Sequence, residues 1–268
     1  MRALVAALWL IAAAAAAGLA LRPAASPALA AARAQAAAVS VASSATYVSL
    51  RAINAALSFA QEIEVGASVV ASGNVQPFKW LEPVDDTVER VSSVVFAIAV
   101  LTGLLSLSLG PVTAVGFAAL ALFLAGQALR TARPGAVPPA LARVLDESLR
   151  LGLALAILLP IALIAGEAMG DWLTAAPVAA AEARVDEIVG QAKALIGQPG
   201  ASGEAPGWRE TAAAYFASAG LFWERADALL ADTATLVGSY ILRLLLLPGL
   251  LLLVLWRLVR AFDGGRGQ

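Results

Sequence analysis

Two ionisable residues stand out because of where they sit. Glu167 lies near the outer end of the apolar run Leu151–Gly170, and Arg243 lies one turn into the apolar run Val237–Trp256. A charged side chain among lipid-facing residues is costly, and it marks an ion or proton path, or one half of an oppositely charged pair. Two simpler readings stand beside that chemistry: Glu167 at the headgroup level, and Arg243 snorkelling to it. Gly166 and Gly170 flank Glu167 at the GxxxG spacing that lets helices approach closely. Pro160 and Pro248 fall within the same two runs, as structural kinks or as breaks lining a transport site. Glu62 with Glu64, and Asp85 and Asp86 with Glu89, supply oxygen ligands for a cation, but no calcium loop surrounds them. The second group also suits a helix N-terminus.

Most other chemistry is excluded by what the chain lacks. It has no cysteine and no histidine, so disulfides, cysteine and histidine zinc sites, thiol nucleophiles and histidine-based triads are ruled out. No glycine-rich phosphate loop, nucleophile elbow or Ser–Lys pairing occurs. The expectation is a non-enzyme with no cofactor and no metal. Eighteen basic residues balance 19 acidic ones, which leaves no field to draw in nucleic acid. Arginine outnumbers lysine sixteen to two and alanine abounds, the residue usage of a GC-rich bacterium.

The elements that must position these residues are membrane helices. The 268 residues are 60% hydrophobic and 14% charged, with a mean hydropathy of +0.82. A soluble domain carries about 25% charged residues. Apolar runs reach the ~20 residues that cross a bilayer at Ala3–Leu21, Ser92–Leu109 with its continuation Pro111–Leu129, Leu151–Gly170 and Val237–Trp256. The fold class is therefore an all-α membrane protein with 4 or 5 transmembrane helices. Residues 1–30 read as an N-terminal transmembrane helix or as a signal peptide ending at Ala28-Leu29-Ala30, and both carry the chain outward.

Charge orients the rest. The linker 130–150 holds Arg130, Arg133, Arg143 and Arg150 against Asp146 and Glu147, and the tail 257–268 holds Arg257, Arg260 and Arg266 against Asp263. Both read as cytoplasmic. Residues 171–236 are acidic and read as periplasmic, as do residues 31–91. The location expected is the bacterial inner membrane, with a cytoplasmic C-terminus. This scheme needs an odd number of crossings within residues 92–129. One crossing followed by a re-entrant or interfacial run after Pro111 satisfies it. The rival is a tight hairpin at Gly110-Pro111, which makes five spans.

Outside the bilayer, Tyr47, Leu50, Ile53 and Leu57 form a helical stripe. Alternation through Ile63, Val65, Ala67 and Val69, followed by the turn Ser72-Gly73-Asn74, reads as a β-hairpin, giving a small periplasmic α/β region. Pro83 then opens an acidic helix leading into the membrane. In the second region, Val178, Val185, Ile188 and Leu195 fall on an a/d seam with Ala181 and Ala192. Beyond the Gly/Pro-rich stretch 197–207, Trp208, Tyr215, Phe222, Leu229 and Leu236 recur every seven residues. The pattern predicts a periplasmic helical hairpin about 30 Å long, with these eight seam residues, Trp208 to Leu229 and Val178 to Leu195, as a candidate interaction face.

The stretch Asn54–Gln61 with its following glutamate, the stretch Leu81–Arg90, and a last span reading Tyr240-Ile241-Leu242-Arg243 then Leu247-Pro248 resemble an uncharacterised family of bacterial inner-membrane proteins. The resemblance implies membrane location and segment order, and no activity. The functional expectation is an envelope scaffold or interaction protein, meeting the lipid bilayer and either another envelope protein or a second copy of itself. The alternative is a transporter or channel component with Glu167 and Arg243 near the pathway.

Overall fold

The computed structural model describes residues 1–68, 82–196, 225 and 227–264, and among them every regular element is helical. The elements are α1 (Arg2–Leu21), α2 (Pro27–Ser68), α3 (Glu82–Ala132), α4 (Pro139–Gly152) and α5 (Leu159–Ile196), then α6 (227–241) and α7 (Leu247–Gly264). A π-helical turn, Leu153–Leu158, joins α4 to α5, and another, Leu242–Leu246, joins α6 to α7. Five helical stretches are long and apolar enough to cross a membrane: Arg2–Leu21, Pro27–Ala55, Asp85–Ala132, Pro139–Gln191 and Asp227–Val259. The chain is a multi-pass membrane protein.

Three of these bounds correct the sequence reading. Residues 92–129 form neither a hairpin nor a re-entrant run; they belong to α3, which passes through Pro111 unbroken for 51 residues. At 1.5 Å per residue that is about 76 Å of helix, more than twice the thickness of a bilayer core. In apolar surroundings a turn at Gly110-Pro111 exposes several unpaired backbone groups, whereas a helix that keeps the proline loses one hydrogen bond. Ile63–Ser68 continue α2 rather than forming a strand; the rest of the expected β-hairpin, residues 69–81, lies outside the described residues. Pro27–Ala55 joins the span-length helices although it reads as external by charge, because its alanines and valines hold the mean hydropathy at 1.2 with few charges.

Two compact units make up the chain. Unit 1 comprises Met1–Val39, Leu101–Trp172 and Leu242–Gln268, and unit 2 comprises Ser40–Val100 and Leu173–Ile241.

In unit 1, α1 turns its small residues inward and its large ones outward. On α1, Ala6, Ala13 and Ala16 are buried while Leu4, Leu8, Leu10 and Ile11 are exposed. This inverts the pattern of a soluble helix and suits lipid outside with close helix packing inside. A 3₁₀ turn at Pro23–Ala25 ends α1. Ser26 Oγ then accepts the Leu29 N–H at 3.4 Å, an N-cap to α2 with Pro27 in its first turn. Leu29 and Ala32 of α2 pack with Leu109 of α3 and Leu163 of α5 in one core. α3 and the α4–α5 strut run antiparallel at glycine distance: a Cβ on Gly116 would lie 2.6 Å from the Ala156 backbone nitrogen.

In unit 2 the seams hold hydroxyls as well as apolar groups. Ser43, Thr46, Leu50 and Ile53 are buried on α2, and Val88, Ser92, Val95 and Ala99 on α3, both at alternating three- and four-residue spacing. Ser40 Oγ donates to the Ala99 carbonyl at 2.9 Å, and the rings of Tyr47 and Phe96 lie 5.2 Å apart. The Thr46 and Tyr240 hydroxyls share a hydrogen bond of 3.1 Å, tying α2 to α6. α5 and α6 are antiparallel: Arg184 bonds Asp232 through two nitrogens at 2.8 and 2.5 Å, and Arg225 pairs with Glu187 at 2.7 Å.

A cysteine-free chain makes the helix register directly measurable. In a Gly116→Cys/Ala156→Cys variant, mild oxidation should give an intramolecular disulfide, read as an altered gel mobility. A Gly116→Leu variant should lose about 2 kcal/mol of stability through overpacking, read in detergent unfolding.

Candidate functional site

Glu167 and Arg243 face each other inside unit 1. Arg243 Nη1 lies 3.5 Å from Glu167 Oε1 and 3.1 Å from Asp171 Oδ1. The Arg243 and Glu167 side chains are only 12% and 19% exposed, whereas Asp171 is 63% exposed. One guanidinium thus bridges a half-buried carboxylate and a solvated one, spaced four apart on one face of α5. Glu167 Oε2 is also buried and has no hydrogen-bond partner among the described residues. A half-buried carboxylate of this kind depends on its arginine, because removing one member leaves an uncompensated charge.

The backbone around the pair is shaped to fit it. Gly170 lies against Arg243, where a Cβ would stand 3.1 Å from the Arg243 Cα, and Gly166 lies against Pro248, at 2.5 Å from its Cγ. The GxxxG spacing is therefore the seat that α5 offers to the Arg243–Pro248 segment. Pro160 and Pro248 each follow a π turn: Leu153–Leu158 precedes Pro160, and Leu242–Leu246, which contains Arg243, precedes Pro248. A proline ring clashes with the carbonyl four residues earlier and cannot donate to it. Widening that turn to i→i+5 bonding relieves the clash without ending the helix. The Leu159 N–H accordingly bonds the Ala154 carbonyl five residues back. Pro160 and Pro248 are thus absorbed within continuous helices rather than breaking their spans.

The seam residues are distributed differently. Val185, Ile188 and Leu229 are buried within unit 2, and Val178 is half-buried. The first three fill an internal seam and present no face to a partner. Trp208, Tyr215, Phe222 and the side chain of Leu195 lie outside the described residues. Sequence reasoning missed Asp171, whose signal was its position one turn from Glu167. It also missed the Arg184–Asp232 pair, in which the Asp232 side chain is 6% exposed. Asp232 sits between Leu229 and Leu236 at seam spacing, and that placement was the signal. Asp85, Asp86 and Glu89 fall in the first turns of α3, and no group of three or more acidic side chains forms a metal site among the described residues.

Comparison with protein families, with curated proteins and with solved structures finds no match to this chain. The family resemblance therefore adds nothing to the site, and its chemistry rests on the geometry alone.

Arg243→Gln should lower stability by about 2 kcal/mol, since it strands Glu167 in a half-buried setting. Arg243→Gln combined with Glu167→Gln should recover much of that loss. Thermal unfolding in detergent checks both; equal losses in the single and double variants would mean the pair is not coupled.

Proposed function

We propose that this protein is a non-enzymatic membrane scaffold that acts through the helices of unit 2. The observation that supports this best is on α2. Val41 and Val48, seven residues apart, are 70% and 62% exposed, outside the seam that Ser43, Thr46 and Leu50 fill. Val41 and Val48 lie in the span-length stretch Pro27–Ala55, so the partner this face fits is a second membrane helix, from another protein or a second copy of the chain, packed in place of lipid. The ion pairs fit a structural role as well, since Arg184 with Asp232 and Arg243 with Glu167 close on one another. In this reading the bilayer is that of a bacterial inner membrane, with the Arg-rich linker 130–150 and the C-terminus in the cytoplasm.

The test uses a single Val48→Cys in intact membranes. Oxidation should give a species of twice the chain mass or a defined larger adduct, and the adduct should weaken when Val41→Asp is added. Recovery of monomer alone would reject the scaffold reading.

A transport role is the second reading. It is favoured by Glu167 Oε2, unpartnered among the described residues, and by the π turns in the two spans that hold the pair. Ion flux in reconstituted vesicles should then fall at least tenfold in Glu167→Gln; flux unchanged from wild type would end that reading.

A further inference from the structure

We infer that the turn between α3 and α4, together with the first face of α4, is a binding site for the headgroups of anionic phospholipids. The case starts from charge. Four arginines cluster here, Arg130, Arg133, Arg143 and Arg150, with two acids, Asp146 and Glu147. Both acids are already engaged: Arg130 Nη1 lies 3.3 Å from Asp146, and Arg150 Nη1 lies 2.5 Å from Glu147. Arg130 is further fixed by donating to the Ala142 carbonyl at 3.1 Å, which ties the end of α3 to the start of α4. Arg133 and Arg143 remain, both exposed, and neither has a carboxylate partner among the described residues. The site therefore keeps two uncompensated guanidiniums at one end of two span-length helices.

The second observation is the shape of α4. Its 14 residues divide sharply into faces. Leu141, Val144 and Leu151 recur at helical spacing and are 39%, 53% and 47% exposed, although Leu145 beside them is buried. Arg143, Asp146, Glu147 and Arg150 occupy the opposite side of the helix. Further along the same span, Ile157 and Ile161 are also exposed, at 39% and 45%. A helix with apolar groups exposed on one face and arginines on the other is stable at the boundary between acyl chains and headgroups. Gly135, at a φ of +87°, makes the turn that returns the chain from Arg133 towards α4. Planar guanidiniums match the oxygens of a phosphodiester through paired N–H donors. A lipid, unlike free phosphate, also fills the stripe at Leu141 and Val144 with its chains.

The test uses the full chain in nanodiscs mixing phosphatidylcholine with phosphatidylglycerol, reading the lipids retained on the protein by native mass spectrometry. Wild type should retain phosphatidylglycerol in preference to phosphatidylcholine. Arg133→Gln/Arg143→Gln should weaken that preference roughly fivefold for each arginine lost. Asp146→Asn/Glu147→Gln, which releases two further arginines, should strengthen it. Retention unchanged in both double variants would overturn the proposal. So would displacement of phosphatidylglycerol by soluble glycerol phosphate, which would mark a site for free phosphate instead.

Discussion

Backbone hydrogen bonding in apolar surroundings is the constraint from which the rest of this architecture follows. A peptide group facing lipid has no water to turn to, so a chain this apolar must keep its N–H and C=O groups paired within each segment. Four prolines test that requirement. Pro111 and Pro177 sit inside α3 and α5 without ending them. Pro160 and Pro248 are met by π turns that move the bonding register by one residue. In water each would have been a natural place to turn, and here the helix is kept each time. The outcome is a set of helices up to 51 residues long, which sets how many times the chain can cross.

Polar side chains are admitted on the same terms. The buried hydroxyls of Ser92, Thr113 and Thr233 each donate to the carbonyl one turn back, at 2.7, 2.6 and 2.6 Å, so they occupy seam positions without an unmet donor. Their small size lets neighbouring helices approach as closely as alanine and glycine do. Charges follow a stricter rule. Asp232 is buried beneath a two-pronged arginine, and the half-buried Glu167 lies against Arg243 with Asp171 on the solvent side. Gly166 and Gly170 make room for the Arg243–Pro248 segment. The ion pair, the glycines and the π turn form one unit, because each is tolerable only beside the others.

Sequence periodicity showed the helical, membrane-embedded character of the chain, and the spacing of Glu167 and Arg243 was enough to raise their pairing. Local punctuation misled. Leu109-Gly110-Pro111 looks like a turn because those residues make turns in water, and the alternation at Ile63–Ser68 looks like a strand because β-branched residues favour strands. In lipid the first signal is weaker than the demand for continuous helix, and Ile63–Ser68 simply continue α2. The α2 seam from Leu29 to Ile53 was only half legible. Ala32, Ala36, Ser43 and Thr46 carry it between the larger residues, and hydrophobic patterning does not register small or hydroxyl side chains as core. The π turns were foreshadowed by Pro160 and Pro248, but a proline alone does not tell a kink from a break.

α3 runs unbroken through Pro111, and a single membrane crossing is what that continuity predicts. Cysteine accessibility in intact cells tests it most directly, with Asp86→Cys before the apolar stretch and Ala136→Cys after it, each in the cysteine-free chain. A membrane-impermeant thiol reagent should label one of the two positions in sealed cells and the other only after permeabilisation. Labelling of both from the same side would mean that the chain turns back within residues 92–129, and the account of α3 would be wrong.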